Sequence, residues 1–382
     1  LLPRTAGRED RDLTDWQAEA ERLDAVDPLA KHRDDFLLDD DVAYLDGNSL
    51  GALPKATPKR IEGVVRGEWG TGLISSWNTA GWIDLPQRIG AKIAPLVGAK
   101  SDEVVVADSV SINLFKLISA ALAKQDGRKV VLSEPGNFPT DLYMIEGLEA
   151  QGLAERRLAD RGDIEGALDD SVALLLLTHV HYKSGEMFEM ERLTRAAHDA
   201  GALVLWDLSH SVGAVPVDLN GAGADFAVGC GYKYLNGGPG APGFAWVAER
   251  HHSSLQQPLS GWMGHAKPFE FSDEYKPAPG VDQLLCGTAP IISMSALDVG
   301  VDLINGIGME ALVAKSRKLS EFTRLIARRV VGDFRAPDIL RLGFAPAYVR
   351  FADCWHAVGE LRDILDSGEW QKAEYSERGA VT

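Results

Sequence analysis

From residue 103 to residue 247 the sequence alternates short, nearly continuous apolar runs with amphipathic stretches, and that alternation leaves the chain very few architectures. The runs are EVVVAD (103–108), KVVLSE (129–134), VALLLLTH (172–179), ALVLWDL (202–208), DFAVGCG (225–231) and GFAWV (243–247). Between them, SINLFKLISAALAK (111–124), TDLYMIEGLEAQ (140–151) and EMERLTRAAHDAG (189–201) read as helices. Strands without a polar face have no wet side and must be covered above and below. The expected class is therefore α/β, a mostly parallel central sheet covered by helices. Further on, SMSALDVGVDLI and EALVAKSRKLSEFTRLIA are helical, RLGFAP reads as a short strand, and a last helix runs from Phe351 to about Asp366. A small α+β domain built from both chain ends is expected, residues 1–59 and 293–382, beside a large domain of residues 60–292.

Charge narrows the partners. With 39 Lys plus Arg against 56 Asp plus Glu, the net charge of −17 repels phosphate backbones and anionic lipid, so neither nucleic acid nor a membrane surface is expected. A small-molecule ligand is. No stretch approaches the roughly 18 uninterrupted apolar residues of a membrane helix, and the first residues lack a basic-then-apolar pattern, so a cytoplasmic location is expected. Cys230, Cys286 and Cys354 are widely spaced and form no CxxC, which fits a reducing compartment and argues against structural zinc.

Several familiar chemistries are excluded by motif. There is no GxxxxGK[ST], and GGPGAPG (237–243) opens no helix, so neither nucleotide-binding loop is present. His179 and His181 form HxH without a third ligand at recognisable spacing, and no metal site is expected. Asp207, Ser209 and His210 are too close in sequence to converge as a hydrolase triad. The informative pair is WDLSHS (206–211) and GYKYLNGG (231–238), which set Asp207 and Lys233 at the carboxyl ends of two apolar strands, where open α/β sheets bind ligands. A carboxylate that keeps a pyridine nitrogen protonated and a lysine that attaches an aldehyde suit pyridoxal 5'-phosphate. Asp108-Ser109-Val110-Ser111 precedes a helix and offers a phosphate site, and Asn137-Phe138-Pro139-Thr140-Asp141 offers an aromatic cover for the ring.

At these residues the sequence resembles the kynureninases, within the fold-type I, aspartate-aminotransferase-like group of pyridoxal phosphate enzymes. The resemblance rests on YLDGNSLG (44–51), SSWNTAGW (75–82), DSVSINLFK (108–116), NFPTDLY (137–143), LTHVHYKSG (177–185), WDLSHSVGAVPVDL (206–219), YKYLNGGPG (232–240), QPLSGWMGH (257–265), LCGTAPI (285–291) and DILRLGFAPAY (338–348), and runs from about residue 40 to the end. It implies hydrolytic cleavage of L-kynurenine, with the 3-hydroxy form as a further candidate substrate, to anthranilate and L-alanine in tryptophan catabolism. It implies that Lys233 anchors the cofactor and moves the substrate's α-proton, that Asp207 pairs with the pyridine nitrogen, and that His210 lies at the ring's phenolic side. Phe138 would stack on the ring, with Pro139, Thr140, Asp141 and Thr178 completing that wall. Val110, Ser111 and Tyr232 would hold the phosphate, joined by Trp262 and Thr288 across a homodimer interface. Asn48, Ser49, Trp77 and Arg341 would face the substrate. Tyr232 is the candidate proton donor for the cleavage step.

The chain departs from the family in one place. Its members carry some tens more residues between the helix ending near Ala327 and VGDFRAPD, where this chain runs straight from LIARR to VVGDFR. A stretch absent from the sequence near 327–330 is expected rather than a deleted lobe, because losing strands there would damage the lobe that carries Arg341. The competing readings are a cysteine desulfurase or class V aminotransferase-like enzyme of the same fold, with Cys286 as the desulfurase nucleophile, and a binding protein on an inactive scaffold.

Overall fold

The computed structural model describes residues 13–326 and 341–369. Each apolar run becomes a strand: β1 (Val104–Val106), β2 (Val130–Ser133), β4 (Val172–Thr178), β5 (Leu203–Asp207), β6 (Phe226–Cys230) and β7 (Gly243–Val247), with β3 (Glu155–Leu158) added between β2 and β4 in the chain. They form one sheet in the order β1-β7-β6-β5-β4-β2-β3, parallel except for β7, which runs antiparallel to both neighbours. The connections leave β2 in one direction and β4 in the other. Their carboxyl ends therefore flank a switch in strand order, the place where such sheets open a crevice. Register sets the chemistry there, because Thr178 pairs with Asp207 and Asp207 with Val228.

The Val110–Lys124 helix shows how the sheet is covered. Ser109 lies in extended backbone and its Oγ accepts from the Ile112 N–H, which caps the first turn. Leu114, Leu117, Ile118 and Ala121 recur at helical spacing and are fully buried in one cluster with Leu174, Leu176, Leu205, Phe226 and Val228 of the strands. Each large side chain so buried contributes roughly 1.5–3 kcal/mol. The helix is thereby fixed as a rigid rod whose amino end meets the carboxyl edge of the sheet.

Contacts divide the chain into two compact units, Gly47–Met309 and the described residues on either side of that span. In the smaller unit the Phe351–Ser367 helix is capped by Asp24, whose carboxylate accepts from the Phe351 and Ala352 N–H groups at 2.7 and 2.9 Å. The buried pair Lys315–Asp27 lies at 2.7 Å, and Phe322 packs edge-on against Trp16 and Phe351. RLGFAP forms an isolated bridge between Gly343 and Asp46 in place of a longer strand. The sequence departure near 327–330 lies outside the described residues. Among those residues no single helix is long and apolar enough to cross a membrane.

At the opposite edge of the sheet, Asp225 ties three elements together. Its buried carboxylate accepts from the Val204 N–H (2.8 Å), His198 Nε2 (2.8 Å), His251 Nε2 (2.7 Å) and Arg250 (2.6 Å). Burial opposes its charge, but the two histidine hydrogen bonds and the nearby cations outweigh burial and hold the carboxyl far below the usual range. A depressed carboxyl stabilises the fold above its ordinary value near 3.8 and loses that contribution as pH falls further. Asp225→Ala is expected to cost about 1–3 kcal/mol in urea unfolding at neutral pH, the range for leaving the buried Val204 N–H and His251 without their acceptor, with a smaller difference from the parent below pH ~3.

Candidate active site

The carboxyl ends of β4, β5 and β6 bring together the groups that the sequence separates. Asp207 ends β5, is 2% exposed, and is fixed by the Ser209 N–H at 2.7 Å from its Oδ1. Next to it, the Thr178 hydroxyl lies 2.5 Å from Asn137 Oδ1 and 3.1 Å from Asp141 Oδ2. Asp141 is wholly buried in the first turn of the Pro139–Ala150 helix, and its Oδ1 has no hydrogen-bond partner. Burial raises both carboxyls. Asp141 is driven well above the usual range by burial and then by the charge of Asp207, whereas in Asp207 the Ser209 hydrogen bonds and the Lys233 charge offset part of the burial. The pair therefore resists carrying two full charges, and Asp141 is the more strongly raised of the two.

Lys233 follows β6 in a tight turn closed by the Asn236 N–H to the Lys233 carbonyl at 3.0 Å. Its buried Nζ lies 3.1 Å from His210 Nε2 and 5.7 Å from the ring centres of both Phe138 and Tyr232. Gly51, the last residue of the YLDGNSLG motif, docks on this turn, its N–H donating to the Tyr232 carbonyl at 2.9 Å. A Cβ there would lie 2.2 Å from the Lys233 carbonyl, so only glycine permits the approach. Phe138 is held by its N–H to Asn137 Oδ1 (2.7 Å) and by the edge of Tyr182 at 5.2 Å.

These residues line a cleft of about 300 Å³. Its wall includes Val110, Ser111, Phe138, Thr140, Asp207, His210, Tyr232 and Lys233, all anticipated from sequence, together with Ser109, Ser209, Cys230, Ala241 and Gly243. Gly243 matters because a Cβ there would press to 3.1 Å from the Val110 nitrogen, at the helix end whose first N–H groups have no partner within the helix. Burial pushes the Tyr232 phenol well above its ordinary value, reinforced by Cys230 and Asp207, so it stays protonated at neutral pH.

The remaining expected residues lie outside the lining of this cleft. Pro139 starts its helix beside Phe138, and Asp141 and Thr178 form the polar layer behind the wall. Asn48 is buried and Ser49 half-buried, three and two residues before Gly51. Trp77 packs edge-on against Trp82, which donates to Glu68 at 2.7 Å. Trp262 is 40% exposed and packs on Phe269, while Thr288 is exposed. Arg341, in the smaller unit, lies 3.8 Å from the Asp46 carboxylate. Asn137 and Ser209, which orient the two carboxyl groups, were not singled out for that role in the sequence, although both lie inside its motifs.

The donor set fits pyridoxal phosphate. A lysine amine stands near an aromatic face, two buried carboxyls include an orphaned oxygen, and a helix end offers free N–H groups beside a glycine cradle. Sheet order and site together define a fold-type I pyridoxal phosphate enzyme. Residues 44–328 match the aminotransferase class-V family and residues 312–361 match the kynureninase C-terminal domain. The kynureninase of Burkholderia mallei (strain SAVP1) is 48% identical over 411 residues, covering 95% of this chain and 99% of that relative, and that of Pseudomonas fluorescens is 44% identical over 407 residues, covering 94% and 98%. The chain belongs to the kynureninase family. An alignment of 411 residues holding 95% of a 382-residue chain means that the relatives carry some tens of residues with no counterpart here. Among solved structures, the cysteine desulfurases of Thermococcus onnurineus NA1 (TM-score 0.72, 20% identity, covering 88% of this chain and 98% of that one) and Escherichia coli (CsdA; 0.74, 17%, covering 89% and 98%) share the fold.

Behind the site, His179 is 4% exposed, its Nδ1 is 3.0 Å from Ser211 Oγ, and burial lowers its pKa to about 4. An unfolded chain protonates this histidine near pH 6.5 and the folded one does not, so stability is full above about 6.5 and falls as pH drops to about 4. That slope amounts to about 3 kcal/mol. His179→Gln should flatten the dependence of urea stability on pH between about 4 and 6.5.

Proposed function

We propose that this cleft holds pyridoxal phosphate and carries out the reaction of its family, hydrolytic cleavage of L-kynurenine to anthranilate and L-alanine. The observation that carries this reading is the Lys233 amine, 3.1 Å from His210, at a strand end beside the buried Asp207 and Asp141. When bound, pyridoxal phosphate supplies an electron sink conjugated to the substrate's amino group. Asp207 would pair with the pyridine nitrogen, with Asp141 and Thr178 behind it, and Phe138, flanked by Pro139 and Thr140, would cover the ring. Val110 and Ser111 N–H groups with the Tyr232 hydroxyl would hold the phosphate.

Lys233 Nζ removes the substrate's α-proton and returns a proton during turnover, with His210 beside it. Water adds to the aryl ketone, the bond between the β and γ carbons breaks to release anthranilate, and the Tyr232 hydroxyl protonates the β-carbon that becomes the alanine methyl. Asn48, Ser49 and Trp77 face the substrate. Arg341 grips its α-carboxylate, because a planar guanidinium offers two parallel hydrogen bonds that a lysine cannot match. The larger unit is the cofactor domain and the smaller one carries this arginine.

The active assembly is a homodimer in which the partner subunit's Trp262 and Thr288 complete the phosphate site. Support comes from the exposure of Trp262 beside the still more exposed Phe269 and Phe271, 40, 62 and 75%. The compartment is the cytoplasm, in keeping with three free cysteines. The desulfurase reading is disfavoured by Cys286, whose Sγ donates to the Leu259 carbonyl at 2.8 Å and whose backbone packs against Gly261.

Incubation with kynurenine should give anthranilate fluorescence and equimolar alanine, while cysteine should release no sulfide. Sulfide without anthranilate would overturn the assignment. Lys233→Ala should keep the fold and lose turnover, and mixing it with Thr288→Ala subunits should restore part of the activity through heterodimers. A monomer in solution, or no restoration, would refute the shared site. Arg341→Lys should lower kcat/KM by the equivalent of about 2–4 kcal/mol with cofactor affinity unchanged.

A further inference from the structure

The Val110–Lys124 helix carries a buried lysine that the reaction leaves without a task. Lys116 is fully buried, and its ammonium donates to the Asp108 carboxylate at 2.5 Å and to the Leu284 carbonyl. Asp108 immediately precedes the cap Ser109 and holds φ at +46°, a left-handed conformation that non-glycine residues rarely adopt. Its carbonyl accepts from the Gly243 N–H at 2.8 Å, which joins this turn to the glycine cradle beside Val110. The Asp108 side chain is 31% exposed, so its charge is open to the surroundings of the turn and is balanced by a cation that solvent does not reach. Without that cation, a carboxylate would stand two and three residues before Val110 and Ser111, whose N–H groups are the proposed phosphate donors.

We propose that Lys116 is a positioning residue of the phosphate subsite, cancelling the Asp108 charge and locking the 108–111 turn so that the helix end accepts a dianion. It does not itself touch the phosphate. Like charges at close range repel, and removing the buried ammonium leaves the part-buried Asp108 carboxylate uncompensated. The same ammonium holds the Leu284 carbonyl, at the base of the segment leading to Thr288, so the subunit's own phosphate turn and the residue offered to its partner share one anchor. This inference rests on the assignment of the helix end to the phosphate.

The test compares the affinity of the full-length apoprotein for pyridoxal phosphate and for pyridoxal, which has the same aldehyde and ring but no phosphate, by absorbance titration. The parent should prefer the phosphorylated form. Equal affinities would remove the phosphate site itself and the role of Lys116 with it. In Lys116→Met the preference should shrink by roughly ten- to a hundredfold, through weaker binding of pyridoxal phosphate and little change for pyridoxal. Adding Asp108→Asn should restore the preference to within about threefold of the parent, because no uncompensated carboxylate remains. Equal weakening of both ligands, or a double variant no better than the single one, would show a purely structural lysine and overturn the proposal. Should Lys116→Met fail to fold, Asp108→Asn alone decides: the preference should hold or rise, and a tenfold fall would refute the proposal.

Discussion

Two carboxyl groups stripped of water at neighbouring elements cannot both carry full charge at low cost, and the cleft is organised around that constraint. Asp207 receives the Ser209 N–H and feels the Lys233 charge, so it is the one that ionises more readily. Asp141 is wholly buried, has an orphaned oxygen and has the charge of Asp207 against it, so it is the more strongly raised of the two. Thr178 lies in register with Asp207 and within hydrogen-bond reach of Asp141, and so joins the two. A carboxylate that lines the cleft, is held by a backbone N–H and is backed by a second, more strongly raised carboxyl suits a protonated heteroaromatic nitrogen.

The rest of the larger unit holds this arrangement in place. Strand order opens the edge between β2 and β4, where Asn137 and Thr178 meet. The helix that follows β1 presents its amino end beside Gly243, and Gly51 locks the lysine turn. Groups of opposite demand line one cleft: free N–H groups of the helix end for an anion, the Asp207 carboxylate for a cation, and the Lys233 amine beside His210.

Much of this was legible in the chain. The apolar runs marked six of the strands because buried parallel strands have no polar face, and the residues ending those runs carry the chemistry. β3 was not legible: ERRL lies at the sheet edge, half exposed and charged, so it lacks the apolar signature. Nothing in the sequence marks Lys116 or Asp225 as buried and paired, because burial and pairing depend on contacts far apart in sequence, Leu284 for one and His251 for the other. The roles proposed for Trp262 and Thr288 across a second subunit came from family resemblance, since a single chain leaves both outside the cleft lining.

The division of labour between the two carboxyls is tested most directly by isosteric amides. Asp207→Asn and Asp141→Asn should each be loaded with pyridoxal phosphate and compared for anthranilate formation from kynurenine. Replacing Asp207, which lines the cleft, should cost on the order of 10²–10³-fold in kcat, as for loss of a preorganised electrostatic partner, whereas replacing Asp141, which stands behind it and is raised more strongly, should stay within about tenfold. Equal losses in the two variants, or a greater loss in Asp141→Asn, would contradict the account.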